Sequence, residues 1–147
     1  MIPEIMAEVK ITYSTHVKAK DRFKITGSHA AAEAFRLIWP AYEHIEFCYM
    51  LMLNRQSQVL GYHQLAKGGM TGTVVDVRVI FQVALKAACT SLIIAHNHPS
   101  GNLDLSDADQ KITRQIKEAG KIMDITLLDH LIITSDAYTS MADEGLL

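Results

Sequence analysis

Cysteine is scarce in this sequence. Cys48 and Cys89 are the only two among 147 residues, both sit inside apolar segments, and no Cys-x-x-Cys spacing occurs. A disulfide framework and a cysteine-built metal cluster are therefore excluded, and both thiols read as reduced core residues. Charge of one sign is lacking too. Fourteen Lys and Arg face sixteen Asp and Glu, a formal net charge of −2, so no global basic field is present to hold nucleic acid. Long hydrophobic runs are missing: no apolar stretch is long enough to span a membrane, and Met1 is not followed by a basic segment with an apolar signal core. These absences make a cytoplasmic chain with no membrane partner the expectation. Repeats and low-complexity tracts are lacking as well. The glycine-containing stretch Gly68-Gly69-Met70-Thr71-Gly72-Thr73 reads as a flexible loop, and no Gly-Lys-Ser/Thr follows it, which excludes a phosphate loop.

What is present is apolar sequence in quantity. Hydrophobic residues make up 49% of the chain, enough for one domain with a sizeable core. Glu8 to Tyr13 alternates polar and apolar, as a half-exposed edge strand does. His16, Lys18, Lys20, Arg22 and Lys24 recur at every second position, which reads as a solvated face. Residues 1–27 are thus expected to be an N-terminal extension with an edge strand, and 28–147 the domain proper. Ser28 reads as the N-cap of a helix through Ala30–Trp39, stopped by Pro40. Ile45 to Asn54 is apolar on both faces, as a central covered strand is, and Gln58 to Leu65 returns as its hairpin partner. A helix is predicted over Val75–Cys89, a strand over Ser91–Ala95, and a helix from Ser106 stopped by Gly120. A strand within Ile122–Thr134 and a short one over Ala137–Met141 follow. Interleaved strands and helices imply an α/β arrangement, a mixed β-sheet flanked by helices in a single domain.

The chemistry concentrates in His96-Asn97-His98-Pro99-Ser100-Gly101-Asn102-Leu103-Asp104-Leu105-Ser106-Asp107-Ala108-Asp109. Side chains alternate along a strand, so His96 and His98 leave on one side and Asn97 on the other. Pro99 ends the strand, Ser100-Gly101-Asn102 turns the chain, and Ser106 opens a helix. That loop returns the Asp109 carboxylate over the two imidazoles. Two His and one Asp are three ligands for Zn2+, one ion per chain, with a fourth tetrahedral position open as in a catalytic site. A competing reading is purely local. Ser-x-x-Asp at a helix start is also a capping box, in which the acid bonds only backbone N–H groups. Glu46 stands out as a carboxylate at the head of a buried strand, costly there unless paired or working.

A glutamate on an early strand, then His-x-His-Pro, then Ser-x-x-Asp resembles the JAMM signature of the JAB/MPN metalloprotease fold. More narrowly, His96–Asn102 and Leu127-Leu128-Asp129-His130-Leu131-Ile132-Ile133 resemble the RadC family, and Thr71-Gly72-Thr73 followed by Val77-Arg78 fits its linker. The resemblance covers roughly residues 28 to 147. It implies a cytidine-deaminase-like α/β fold with zinc held by His96, His98 and Asp109. It also implies Ser106 as the hydroxyl that hydrogen-bonds the reacting oxygen, and Glu46, in preference to Glu43, as general acid/base. Leu105 departs from the proline usual before the serine, which loosens the loop without removing a ligand. Many members carry an N-terminal helix-hairpin-helix domain that this sequence does not show, so DNA binding loses its main support here and DNA repair remains a family label.

The activity implied is zinc-dependent hydrolysis of an amide in a protein or peptide substrate. Asn97 and Asp129 are candidates for orienting the ligands, or for structural hydrogen bonds. One alternative is a DNA-repair accessory protein or metal-dependent nuclease, although ligands for a single metal are evident. The other is a non-catalytic interaction module, whose expected sign is a missing ligand or glutamate; all five positions are filled. His16, His29, His44, His63 and His130 read as surface or satisfied core residues. Self-association through the first strand is an expectation of the same edge-strand reading.

Overall fold

A computed structural model describes residues 5–10, 12–68 and 74–147. Its centre is a five-stranded mixed sheet in the order β2-β1-β3-β4-β5. The strands are β1 Phe47–Leu53, β2 Val59–Lys67, β3 Ser91–His96, β4 Thr126–Ile133 and β5 Tyr138–Ser140. Three helices flank it: α1 Ser28–Arg36, α2 Val77–Lys86 and α3 Asp107–Met123. β1 pairs antiparallel with both β2 and β3, β3 runs parallel to β4 across the α3 crossover, and β5 closes the edge antiparallel to β4. This is the single-domain α/β arrangement, a mixed sheet flanked by helices, that the sequence implies.

The two-residue period of the strands divides the core. Phe47, Tyr49, Leu51 and Leu53 of β1, with Ile93 and Ala95 of β3, pack under Ala31, Ala32 and Phe35 of α1. Cys48, Met50 and Met52, with Leu92 and Ile94, pack under Ile80, Phe81 and Ala84 of α2 and Ile116 of α3. Every residue of β1 and β3 is buried, as expected of central strands covered on both faces. β4 contains a register shift opposite Leu92/Ile93, which leaves Leu128 without a partner. Beyond that bulge Asp129 pairs with Ile93 and His130 with Ile94, so His130 lies on the α2/α3 face.

Several sequence expectations are corrected. Glu8–Tyr13 forms no strand among its described residues. Its alternation has no ladder partner, and the segment lies against the hairpin, with the Tyr13 hydroxyl donating to the Leu60 carbonyl at 2.7 Å. Among its described residues the extension carries a short 3-10 turn at Ala19–Asp21 and an isolated bridge from Lys24 to Gln58. Ser28 is the first residue of α1 and not its cap, which is Gly27; its hydroxyl donates to Asp143 at 2.6 Å and pairs with Tyr138. The loop at 69–73, including Thr71-Gly72-Thr73, lies outside the described residues.

Gly120 does not end α3 but lies buried within it, and the helix stops at Asp124 in a left-handed conformation. A Cβ at Gly120 would run into the Ile125 carbonyl oxygen, because the α3–β4 connection doubles back onto the helix backbone. Gly120→Ala therefore lowers stability by about 1–3 kcal/mol in urea unfolding, although helix propensity alone favours alanine by about 1 kcal/mol. Unchanged or increased stability would show that the connection relaxes.

Candidate metal centre

β3 ends on His96, and the alternation that sorts the core continues past it. His96 faces the α2/α3 side, directly across from Cys48 of β1. Asn97 points to the opposite face. His98 returns to the side of His96, and its Nε2 lies 3.0 Å from that of His96. The chain turns at Gly101, in the left-handed region at φ 80°, and enters α3 through Ser106.

There the two readings of Ser-x-x-Asp prove compatible. The Ser106 hydroxyl accepts from the Asp109 N–H at 3.0 Å, and Asp109 Oδ2 accepts from the Ser106 N–H at 3.0 Å, a complete capping box. The same carboxylate reaches the imidazoles, with Oδ1 3.1 Å from His96 Nε2 and Oδ2 3.3 Å from His98 Nε2. Capping fixes the carboxylate without using up its lone pairs.

His96, His98 and Asp109 form a group able to hold a metal ion. Zinc bonds of about 2.0–2.2 Å at tetrahedral angles separate neighbouring donors by roughly 3.3–3.6 Å. The two Nε2 atoms lie 3.0 Å apart, with Oδ1 3.1 Å from one and Oδ2 3.3 Å from the other, so two imidazoles and a carboxylate converge on one point at close to that spacing. The His98 ring is correctly poised, since its Nδ1 lies 2.8 Å from the Asn102 carbonyl, which can only accept. Nδ1 therefore carries the proton when the ring is neutral, and Nε2 offers a lone pair.

The electrostatics follow from crowding. Burial alone would raise the Asp109 pKa, but hydrogen bonds from His96 and His98, with the positive character of His96 and the Ser106 N–H, outweigh it and hold the carboxyl well below its usual range. His98 is raised above its ordinary value by its hydrogen bond to Asp109, against the opposing effect of burial. Glu46, one residue before β1, lines a cleft of about 340 Å³ together with His96 and Asp109. Burial raises its pKa, partly offset by the two histidines. The cleft floor is Cys48, Ile94 and Ile116. Burial, reinforced by Glu46 and Asp109, pushes the Cys48 thiol far up, so it stays protonated. Glu43 is exposed and is not part of this cleft.

Asn97 and Asp129 bond backbone and a serine hydroxyl, not the imidazoles. Fully buried Asn97 accepts from the Phe47 N–H at 2.8 Å and donates to the Tyr42 and Ile45 carbonyls at 2.9 and 3.0 Å. The Glu46 carbonyl accepts from the Gly68 N–H at 2.8 Å. Glu46 thus springs from backbone pinned on both sides. Asp129 accepts from the Ser140 hydroxyl at 2.5 Å and the Ala142 N–H at 3.0 Å, tying β4 to the turn after β5. Behind the candidate ligands stand His130, which the sequence reads as a surface or satisfied core residue, and Thr113, which sequence reasoning passed over. His130 Nε2 lies 2.8 Å from His96 Nδ1, and His130 Nδ1 lies 2.7 Å from the Thr113 hydroxyl. Burial drives the His130 pKa down to about 3, so the ring is neutral.

A mixed sheet carrying two histidines and an aspartate at the strand–helix junction defines a JAB-type domain. A family model described as the RadC-like JAB domain matches residues 25–146, and the chain belongs to that family. It is 45% identical over 132 residues to a UPF0758 protein of Flavobacterium johnsoniae, covering 88% of this chain and 57% of the relative. Identity is 42% over 114 residues to a UPF0758 protein of Thermosynechococcus vestitus, covering 78% and 44%. A UPF0758 protein of Chlorobaculum tepidum is 31% identical over 144 residues, covering 98% and 64%. The chain spans about half the length of the curated relatives it matches. Among the described residues no helix is long and apolar enough to cross a membrane.

The pKa shifts set a pH window for the metal-free protein. Asp109 is depressed, so its contribution to stability is present above the ordinary value of 3.8 and is lost as pH falls. His98 is raised, so its contribution is complete below the ordinary 6.5 and is lost as pH rises through the higher folded value. The melting temperature of metal-free wild type should exceed that of Asp109→Asn most near pH 5–6, with the gap shrinking on both sides. A pH-independent gap would contradict this coupling.

Proposed function

We propose that this domain is a zinc-dependent amide hydrolase of metallopeptidase or isopeptidase type, with one ion per chain and a protein or peptide substrate. The observation that carries the reading is the close grouping of His96 Nε2, His98 Nε2 and Asp109, with Glu46 and Asp109 lining both a cavity that opens onto His96 and one that opens onto His98. Bound zinc supplies Lewis-acid polarisation of a carbonyl and an acidified water nucleophile.

The protein's own groups divide the remaining work. Glu46, with its raised pKa, holds a proton more readily than an ordinary carboxylate, which suits moving one from the nucleophile to a leaving amine. The Ser106 oxygen already accepts the Asp109 N–H, so its hydroxyl proton remains to be donated toward a developing oxyanion. A donor so placed is worth about 3 kcal/mol in acyl-transfer enzymes. The apolar cleft floor of Cys48, Ile94 and Ile116 offers the reacting groups no hydrogen bonds of its own on that side. The formal charge of −2 gives no general attraction for a polyanion, which favours a peptide over DNA as substrate. Two buried, unpaired thiols suit a reducing, cytoplasmic setting.

Elemental analysis should find about one zinc per wild-type chain and a large loss in His96→Ala, His98→Ala and Asp109→Ala. Glu46→Gln should keep its zinc and lose at least about 100-fold in peptide turnover, read by mass spectrometry on a mixed peptide library, while Glu43→Gln stays near wild type. Wild type that remains metal-free in added zinc would sink the proposal.

A further inference from the structure

The two ligand histidines differ in how their tautomers are fixed. His98 Nδ1 faces a carbonyl, so its proton is assigned by inspection. His96 Nδ1 faces a second imidazole, and either ring could be the donor. The direction is decided one residue further on. The Thr113 hydroxyl has one proton and three neighbours: the Asp109 carbonyl at 2.7 Å, the Met141 thioether at 3.2 Å and His130 Nδ1 at 2.7 Å. Carbonyl and thioether can only accept. Thr113 therefore gives its proton to one of them, as threonines within helices do toward the carbonyl four residues back.

The third contact then has one solution. His130 Nδ1 must carry a proton and donate it to the Thr113 oxygen. Neutral His130 consequently has a bare Nε2, which accepts from His96 Nδ1. His96 is left with Nε2 on the metal side, facing His98 and Asp109; there the Asp109 carboxylate accepts a hydrogen bond from it while no metal is bound, and the lone pair is offered when a metal takes the proton's place. Asp109 acts at both ends of this chain of bonds. Its carboxylate meets His96 Nε2, and its backbone carbonyl receives the proton that sets the polarity.

We propose that His130, oriented by Thr113, is a positioning residue for the metal centre: by accepting the Nδ1 proton of His96 it keeps that ligand's Nε2 lone pair on the metal side. This rests on the metal reading above. A buried ligand ring offered no such acceptor is free to protonate Nε2 and must rearrange before binding. Groups placed behind a metal-bound histidine in this way typically change affinity by about 10–100-fold.

The test measures zinc affinity by competition with a chromophoric chelator, alongside metal-free melting temperature, for wild type, His130→Leu, His130→Gln and Thr113→Val. His130→Leu should bind zinc about 10–100-fold more weakly. His130→Gln, whose side-chain carbonyl accepts the same proton, should recover most of the loss. In metal-free wild type near pH 8, ring 15N NMR should show His96 protonated at Nδ1, and Thr113→Val should give a mixture of tautomers. Variants that melt lower yet bind zinc like wild type would reduce His130 to packing and overturn the proposal. So would a His96 ring that carries no proton on Nδ1 in wild type. Wild type that binds no zinc refutes the metal reading, while the ring NMR still decides the proton direction.

Discussion

The carboxylate of Asp109 carries two duties that sequence reasoning sets against one another. It accepts the Ser106 N–H and so fixes where α3 begins, and it reaches both imidazoles at the end of β3. The capping contact holds the carboxylate in place before any ligand arrives, and a preset ligand spares the entropy of ordering it on binding. Helix, strand end and cleft wall therefore share one anchor. α3 begins where the site needs it and lays Ile112 and Ile116 along the cleft beside Glu46.

Behind that anchor the sheet supplies registration. Alternation along β1 and β3 places Cys48 and His96 on one face while Asn97 turns to the other. The side chain of Asn97 then binds backbone on both sides of Glu46, so the residue between the two ligand histidines steadies the candidate proton carrier. The bulge at Leu128 works similarly at a distance. Had Leu128 paired with Ile93 in unbroken register, His130 would fall opposite Ala95 on the α1 face, away from His96.

Much of this was legible in the sequence because it is local. His-x-His at the end of an apolar strand and Ser-x-x-Asp at a helix start are patterns of three and four residues, and the structure groups the three candidate ligand side chains. β1, the hairpin and α3 announce themselves by burial pattern and period. What escaped depends on partners remote in sequence. His130 joins His96 only through a parallel pairing and a bulge that no local period reveals, and Thr113 only because one helix turn sets it beside that ring. Gly120 looked like a stop signal, yet its smallness answers to the Ile125 carbonyl across a tight connection. The alternating Glu8–Tyr13 stretch has the look of a strand, yet its described residues form no ladder with the neighbouring edge of the sheet.

The central claim is that two imidazoles and one carboxylate, and no thiolate, present themselves to a zinc ion. X-ray absorption at the zinc edge of the loaded protein addresses it most directly. The expected shell holds nitrogen and oxygen neighbours at about 2.0–2.2 Å, with the multiple-scattering signature of two imidazoles. A sulfur neighbour near about 2.3 Å, which would bring in Cys48, or a shell with fewer than two imidazoles, would contradict it.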